Sequence, residues 1–540
     1  PDLTRSVSEQ VLTNLREEEI LITMEMKRVS GILLHPTSLP GPHGIGDLGA
    51  EAYRFVDFLA GGKQALWQIL PLGPTGVGDS PYAAVSSFAG NPLLISLDKL
   101  VEAGDLTEED IANPPEFDID RVRYEPVTAW KKPLLEKAAR TFLNQASETR
   151  QEQFKAFCAE QAYWLDDFAL FLALKEGFDA NAKFENAIGT WNVYWPEDIR
   201  LRHENALHYW RERKDEAIAI NKVIQFYFYQ QWWALRWYAN QHGVTIVGDI
   251  PIFVAEDSAD VWADRDLFLL DNQGRPTVVA GIPPDYFSQT GQRWGNPLYN
   301  WHNMEHRGFR WWLSRLRATL NLVDVVRIDH FRAFDTYWAI PAYEPTAVHG
   351  RWDRAPGYQF FETVKMQLGE LPIVVEDLGI IPDDVRRLRD HFNFPGMKIL
   401  QFAFSGLAGG LDPSNPYLPH NHRHNAIVYT GTHDNDTTLG WYKALPEWDK
   451  NAIQNYLMHE KSHIWDSDIV WVLMQLAWSS VCNWSIIPMQ DLLRLDSDAR
   501  MNIPGQAYGN WQWRFRAEAL NEWTEGILRD SAYRFGRAHG

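Results

Sequence analysis

The chain has 540 residues, of which 45% are hydrophobic, enough for one large barrel with insertions or for two or three domains. Its formal charge of −20 argues against binding to a nucleic-acid backbone, which requires clustered lysine and arginine, and suits a neutral substrate better. The two cysteines, Cys158 and Cys482, lie far apart without a CxxC pair, so neither a disulfide framework nor a zinc site is indicated.

The sequence carries no recognisable membrane or secretion signal. Its longest apolar runs, such as Ile469–Trp478, have about ten residues and are too short to cross a bilayer. The first residues lack the apolar core of a secretion signal. These features favour a soluble protein of a reducing compartment, with neither a membrane nor a nucleic acid as its partner.

Residues 1–27 are charged and polar, and we expect them to form an extension outside the fold. Eight later segments rich in β-branched and apolar residues predict strands, and helical patterns separate most of them. Eight strand–helix alternations predict a (β/α)8 TIM barrel, of the α/β class, over residues 28–540. The predicted strands are Ser30–Leu34, Ala65–Leu72, Thr245–Phe253, Met397–Phe404 and Trp484–Leu492, with three more that begin at Val325, Ile373 and Ile427.

Two stretches between predicted strands are too long to be simple crossovers. About 170 residues separate the second strand from the third, and helical patterns at Phe154–Phe178 and Val223–Gln241 predict a mainly helical subdomain over about 97–242. A second insertion, over about 255–322, contains Ala280–Tyr299, whose glycines, prolines and aromatic residues are typical of an ordered functional loop. We expect both insertions to lie around the mouth of the barrel.

Two motifs resemble cofactor or metal sites, but each has a simpler interpretation. Gly44–Gly49 matches GxGxxG without directly following a strand, which favours a closely packed turn over nucleotide binding. His420, His422 and His424 alternate as metal ligands sometimes do, yet the proline and asparagines among them favour a solvated loop. We therefore predict neither a cofactor nor a metal ion.

The 25 tryptophans exceed the roughly one per cent that is usual in proteins. Tryptophan can stack on the apolar face of a sugar ring while its indole N–H donates a hydrogen bond. Most should nevertheless pack the core, as we predict for the pairs Trp232–Trp233 and Trp311–Trp312. Trp294 and Trp511 stand among glycine, asparagine and proline, and we predict loops for them.

Three of the predicted strands end in carboxylates that would be costly inside a core. In a parallel barrel such strand ends converge at one mouth, where catalytic groups lie. A single acid after a strand is more often a helix N-cap or a solvated loop residue, and we prefer that interpretation for Asp377. Three cases together instead indicate the carboxylates that break a glycosidic bond, and these are Asp329, Glu376 and Asp434.

The motifs around these acids resemble those of the 4-α-glucanotransferases called amylomaltases or disproportionating enzymes, glycoside hydrolase family 77. The resemblance begins with VRIDHF, VEDLG and TGTHDND and runs in order from residue 28 to about 537. Further matching motifs are HPTSLPGPHGIGDLG (35–49), DSPYAAVSSFAGNPLLI (79–95), GDIPIFV (248–254), PPDYFSQTGQRWGNPLY (283–299) and MNIPGQAYGNWQWR (501–514).

The resemblance implies a role for each residue of the candidate site. Asp329 would be the nucleophile, Glu376 the general acid/base, and Asp434 the acid that holds the distorted donor sugar. Arg327, on the same face of the strand as Asp329, would keep that carboxylate ionised. The remaining implied contacts are Tyr82, which would stack on the sugar, His433, Asp249 and Asn502, which would bind hydroxyl groups, and Gln292 and Trp294 in a loop over the bound chain.

The implied reaction moves a segment of α-1,4-glucan from a donor chain to an acceptor chain, with retention through a covalent glycosyl-enzyme. The apolar neighbours Val374, Val375 and Leu378 should raise the pKa of Glu376, as a general acid requires. We expect the Ala280–Tyr299 loop, with Tyr286, Phe287 and Trp294, to exclude water as a lid. The resemblance also implies a cytoplasmic protein, or a plastid one in a plant or alga, that is a monomer or homodimer.

Two alternatives remain at this level. An α-amylase-type hydrolase would usually carry Asp-x-x-x-x-Asn-His at its third strand, where this chain has Asp249 to Ala255. A non-catalytic glucan-binding protein would be expected to lack one of the three carboxylates. One departure from the family pattern is Ser405, which follows QFAF where an acidic residue is common, and it affects the acceptor side rather than the chemistry.

Overall fold

The computed structural model describes residues 26–284, 288–379, 381–404, 411–457 and 466–538. Residues 1–25 of the predicted extension, the lid aromatics Tyr286 and Phe287, and Ser405 lie outside the described residues. Across the described ranges, no helix is both long enough and apolar enough to span a membrane.

The described residues contain twelve strands in two sheets. The larger sheet is a parallel barrel of eight strands in the order β10, β11, β12, β1, β2, β3, β6 and β9, which confirms the predicted fold. The strands are β1 (Val29–Leu33), β2 (Leu66–Gln68), β3 (Thr245–Ile250), β4 (Val278–Ile282), β5 (Gln292–Pro297), β6 (Val325–Ile328), β7 (Thr336–Pro341), β8 (Arg351–Arg354), β9 (Ile373–Val375), β10 (Gly396–Ile399), β11 (Ala426–Tyr429) and β12 (Trp484–Pro488).

Helices surround this barrel and fill the long connection between β2 and β3. The predicted helices Phe154–Phe178 and Val223–Gln241 lie within two long helices, Glu148–Phe184 (α4) and Asp215–Gln241 (α6), which pack against each other. The described helices of five or more residues are α1 (Ala50–Gly61), α2 (Leu97–Glu102), α3 (Tyr124–Gln145), α4 (Glu148–Phe184), α5 (Glu204–Arg213), α6 (Asp215–Gln241), α7 (Ala259–Ala263), α8 (Trp301–His306), α9 (Arg310–Leu322), α10 (Gly357–Leu368), α11 (Asp383–His391), α12 (Thr438–Ala444), α13 (Glu447–Leu457), α14 (Asp466–Ser479) and α15 (Glu522–Arg534).

Several barrel strands are shorter than the sequence predicted. The segment from Thr245 to Phe253 leaves the ladder at Ile250, before Pro251, which has no N–H to donate. The segment from Met397 to Phe404 turns helical after Ile399. The residues beyond the strands are still buried under the insertions, so their apolar character reports burial rather than strand pairing. Examples are Ile69, Leu70, Ile252, Phe253, Leu400 and Phe404, each at most 5% exposed.

A four-stranded antiparallel sheet, in the order β5, β4, β7, β8, was not predicted. It includes residues 280–282 and 292–297 of the segment predicted as a loop at Ala280–Tyr299, and it extends to Arg354, past the predicted end of the insertion at 322. Trp294 therefore lies in strand β5 and not in a loop. Gly281, Gly291 and Gly295 interrupt the β-type pattern here, which is why the composition indicated a loop.

The remaining tryptophan predictions are partly confirmed. Trp232 and Trp312 are fully buried in α6 and α9, as predicted for helix core. Trp511 is also buried, at 5% exposure, and its φ of +63° is unusual for a bulky residue.

The two motifs set aside in the sequence have structural roles. Gly44 has a φ of +76°, and a Cβ on Gly46 would lie 2.0 Å from the carbonyl oxygen of Pro36, which confirms a closely packed turn. His420 bonds through Nδ1 to the Tyr456 hydroxyl at 2.9 Å. His422 bonds through Nδ1 to Ser480 Oγ at 2.7 Å and is buried, so the prediction of a solvated loop is wrong at that residue.

Asp377 follows β9 and bonds to β10, so it joins the last and first strands of the sheet order and closes the barrel. The N–H of Met397 donates to Asp377 Oδ1 at 2.8 Å, and Arg389 forms an ion pair with the other carboxylate oxygen. Next to it, the Val375 N–H donates to the Pro395 carbonyl at 2.9 Å. Asp377 is thus buried and paired, and the prediction of a cap or a solvated residue is wrong because its carboxylate turns towards β10.

We expect Asp377→Ala to destabilise the fold by about 3–5 kcal/mol, because it leaves the Arg389 guanidinium without its buried partner. Asp377→Asn keeps an acceptor for Met397 and should cost less. Asp390→Ala removes a more exposed partner of the same arginine and is the matched control, with an expected cost of about 0–1 kcal/mol. Melting midpoints of the three variants provide the comparison, and an unchanged midpoint for Asp377→Ala would contradict this role.

Candidate active site

The polar strand ends of β3, β6, β9 and β11 meet at one mouth of the barrel. Asp249 lies in β3 directly opposite Arg327 in β6, and Asp329 is the first residue after β6. Glu376 is the first residue after β9, and Asp434 follows β11. The parallel register therefore brings together residues that are up to 185 positions apart, the separation of Asp249 from Asp434.

Arg327 is the buried cation at the centre of this mouth, with 2% of its side chain exposed. Its Nη1 donates to Asp249 Oδ2 at 2.6 Å and to Asp329 Oδ1 at 3.0 Å. On the other side its Nε lies 3.4 Å from Met397 Sδ. Burial opposes the charge on Arg327, but the Asp249 and Asp329 carboxylates outweigh it and raise the pKa of the guanidinium.

Asp249 is part of this ion-pair network and does not simply face the mouth. Its side chain is fully buried, and burial raises its pKa to about 6 in spite of Arg327. Its Oδ2 also accepts a hydrogen bond from the Tyr82 hydroxyl at 2.8 Å. Within the described residues its buried Oδ1 has no hydrogen-bond partner.

Tyr82 and His433 form a stacked pair beside Asp249. Their rings are nearly parallel, with centroids 5.2 Å apart and an interplanar angle of 14°. The Tyr82 oxygen lies 2.9 Å from His433 Nε2. Because the Tyr82 hydroxyl hydrogen goes to Asp249, its oxygen accepts from His433, and this assigns the hydrogen to Nε2.

Trp511 is a neighbour of this pair that the sequence did not place in the site. Its ring centroid lies 5.7 Å from that of Tyr82 and 6.0 Å from that of His433. Its left-handed backbone is held by its N–H, which donates to Met501, and by its carbonyl, which accepts from Tyr124. Its place in the MNIPGQAYGNWQWR motif was the only signal in the sequence that pointed to it.

Glu376 has the environment of a carboxyl group that can hold a proton near neutral pH. Burial, with the nearby Asp329 charge, raises its pKa to about 7, in the direction predicted from its apolar neighbours. Two backbone N–H groups, of His330 and Leu378, donate to its two oxygens at 2.7 and 2.8 Å and fix its orientation. They favour the ionised form, but less strongly than burial disfavours it.

Asp434 occupies the more exposed side of the mouth, with 46% of its side chain exposed. Its Oδ1 accepts from Asn502 Nδ2 at 2.7 Å, and its Oδ2 lies 3.5 Å from His433 Nε2. Arg500 holds the same residue through its backbone carbonyl at 2.8 Å. Asp434 is therefore oriented by its neighbours while keeping its carboxylate open to a ligand.

The β4–β5 hairpin reaches the mouth through Trp294. The edge of the Trp294 ring contacts the ring of His330, with centroids 4.9 Å apart, and its Nε1 donates to Gln292 Oε1 at 3.1 Å. His330, which directly follows Asp329, has a φ of +48°, and burial lowers its pKa to about 4, so its ring is neutral. The sequence identified His330 only as a histidine flanking an acid, and not as the contact between Asp329 and the hairpin.

All ten predicted site residues thus lie at or beside one mouth. Among them are a carboxyl group that can hold a proton, Glu376, a carboxylate paired with arginine, Asp329, and a third, more exposed acid, Asp434. Two carboxyl groups with different protonation can act as acid and nucleophile on the same bond. Within the described residues, no three side chains of histidine, cysteine, aspartate or glutamate are grouped as metal ligands would be.

Comparison with known proteins identifies relatives over almost the whole chain. The family model described as 4-alpha-glucanotransferase, glycoside hydrolase family 77, matches residues 34–520. A 4-alpha-glucanotransferase of Thermus thermophilus is 50% identical over 94% of this chain and 99% of its own, and one of Synechocystis is 48% identical over 95% and 98%. The solved amylomaltase of Streptococcus agalactiae in complex with acarbose has a TM-score of 0.89 and 40% identity, and covers 95% of this chain and 100% of its own.

Proposed function

Because this chain belongs to the 4-alpha-glucanotransferases of glycoside hydrolase family 77, we propose that it transfers segments of α-1,4-glucan from donor chains to acceptor chains. The observation that carries this proposal beyond family membership is the pairing of Asp329 with Arg327 beside a Glu376 whose pKa is raised to about 7. The guanidinium stabilises Asp329 as a carboxylate, whereas burial favours the protonated form of Glu376.

In the first step, Asp329 attacks the anomeric carbon of the donor while Glu376 gives its proton to the departing glycosidic oxygen. Arg327 holds Asp329 Oδ1, which leaves the second oxygen for the new bond to carbon. The leaving chain departs with a hydroxyl group at its new end. The remaining segment is bound to Asp329 as a glycosyl ester, and Glu376 is now ionised.

In the second step, a hydroxyl group of the acceptor chain attacks the same carbon from the side that the leaving group vacated. Glu376 removes the proton from that hydroxyl, the ester bond to Asp329 breaks, and both carboxyl groups return to their first states. Asp434, which Asn502 orients, binds hydroxyl groups of the donor sugar. Two inversions give net retention, and the sum of bonds between glucose units does not change.

With maltotriose as the sole substrate, the protein should release glucose and build a ladder of longer maltooligosaccharides with almost no gain in reducing ends. The reason is that a chain hydroxyl, and not water, accepts the glycosyl group. Chromatography of the products and a reducing-end assay on the same samples test this directly. A rise in reducing ends in step with the loss of maltotriose would identify a hydrolase instead.

The value of kcat/KM for maltotriose should fall as the pH rises through about 7, since only the protonated form of Glu376 can protonate the leaving oxygen. A maltosyl fluoride donor, whose leaving group needs no proton, should lose much less of its rate of fluoride release over the same range. Circular dichroism at each pH controls for unfolding. Equal losses with the two donors would assign the titration to another group.

Trp294→Ala should raise the ratio of hydrolysis to transfer, because it removes the ring that covers the position next to Asp329 and admits water to the glycosyl-enzyme. Trp352→Ala, which removes a similarly exposed tryptophan from β8 of the same sheet, is the matched control and should leave the ratio unchanged. Glucose release and reducing-end gain, measured in parallel with a melting curve, give the ratio. If both reactions fall together, Trp294 only stabilises the hairpin.

A further inference from the structure

A second cleft lies outside the catalytic mouth, between α4 and the segment from Met304 to Ser314, and none of the ten site residues lines it. Its volume is about 990 Å³, at the upper end of the range of roughly 300–1,000 Å³ for ligand sites. We refer to it as the α4 cleft. Its size and lining distinguish it from the small gaps that packing leaves in a core.

A continuous group of aromatic rings lines the α4 cleft. The Phe88 ring meets Tyr163 edge-on at 5.7 Å, stacks on Trp164 at 6.2 Å and meets Trp311 edge-on at 6.0 Å. Tyr163 is 54% exposed although it projects from a helix that otherwise packs the insertion. Phe88 and Trp164 are buried, at 6% and 5% exposure, so the exposed Tyr163 and the partly exposed Trp311 are the rings on which a sugar ring can stack.

The α4 cleft is also lined by polar groups in which neither sign of charge dominates. Asp260 and Asp264 lie one helical turn apart at α7, and burial raises the pKa of each to about 6. Asp167 forms an ion pair with Arg202 at 2.9 Å, and Arg307 forms one with Asp266. A lining of aromatic faces, carboxylate acceptors and guanidinium donors without a strong net charge suits a neutral, polyhydroxylated ligand better than a phosphate or a cation.

The α4 cleft is connected to the catalytic mouth through one short segment. Phe88 lies six positions after Tyr82, and six residues span at most about 20 Å even when fully extended. A glucan chain of modest length can therefore occupy both places, which would raise the effective concentration of its reacting end at the mouth.

We propose that the α4 cleft is a second α-glucan-binding site that holds a distal part of long chains while another part reacts at the catalytic mouth. The expected effect on turnover rests on the proposed function. Binding of a glucan in the α4 cleft can be measured without turnover. The site should matter for turnover of long glucans and not of maltotriose, because a chain of three units has little length beyond the part that reacts at the mouth.

Two variants test the α4 cleft in different ways. Tyr163→Ala removes an exposed ring without opening the core, and Ser314→Trp places a bulky side chain into the cleft from α9. Tyr533→Ala removes a similarly exposed tyrosine from α15, outside the cleft, and is the matched control. Melting curves confirm that each variant is folded before it is compared.

Each variant is combined with Glu376→Gln for titration calorimetry with maltotriose, a short ligand chosen so that one molecule fills one site, and is kept in the active protein for kinetics with maltotriose and with amylose. We expect two maltotriose sites in the Glu376→Gln and Tyr533→Ala proteins, and one in Ser314→Trp. For Tyr163→Ala we expect the second site to weaken about three- to tenfold, the scale of one lost aromatic contact, and kcat/KM to fall by a similar factor for amylose but not for maltotriose.

A single maltotriose site in the Glu376→Gln protein, or two unchanged sites in Ser314→Trp, would overturn the proposal. Equal losses on amylose and maltotriose would also overturn it, since they would locate the effect at the catalytic mouth. A protein that fails to disproportionate maltotriose at all would refute the proposed function, whereas the calorimetric site count would still decide whether the α4 cleft binds glucan.

Discussion

The ion-pair network of Arg327 is the interaction on which the catalytic mouth depends. Asp249 lies in β3 and Asp329 directly follows the adjacent parallel strand β6, and without a cation between them the two carboxylates would repel each other. Arg327 allows both to be close, and removing such a buried partner costs about 3–5 kcal/mol. The register of β3 against β6 places Asp249 opposite Arg327, and this pairing is what allows the guanidinium to be buried.

The other groups of the site take their positions from that network. Asp249 accepts from Tyr82, Tyr82 accepts from His433, and His433 lies next to Asp434, so one chain of contacts leads from the buried arginine to the exposed acid. Glu376 stands apart from this chain and is oriented by backbone N–H groups instead. This separation lets Glu376 hold a proton while Asp329, at 3.0 Å from Arg327, is stabilised as a carboxylate.

Much of this architecture could be predicted from the sequence because it follows from local patterns. The eight barrel strands are short apolar runs, the long helices α4 and α6 contain the predicted helical segments, and Asp329, Glu376 and Asp434 mark the strand ends at the mouth. The antiparallel sheet could not be predicted, since its glycines and prolines hide the alternation of its strands. The role of Asp377 and the contacts of Trp511 depend on distant parts of the chain, on which local composition gives no information.

The covalent step on Asp329 is the central claim, and mass spectrometry of a trapped intermediate tests it most directly. Glu376→Gln, incubated with maltosyl fluoride and quenched in acid, should gain the mass of one maltosyl group, since the activated donor needs no acid and the variant lacks the base for release. Digestion should locate that mass on the peptide that contains Asp329. A modified protein whose label lies on Asp434 or elsewhere, or no labelled protein while fluoride is still released, would contradict the account.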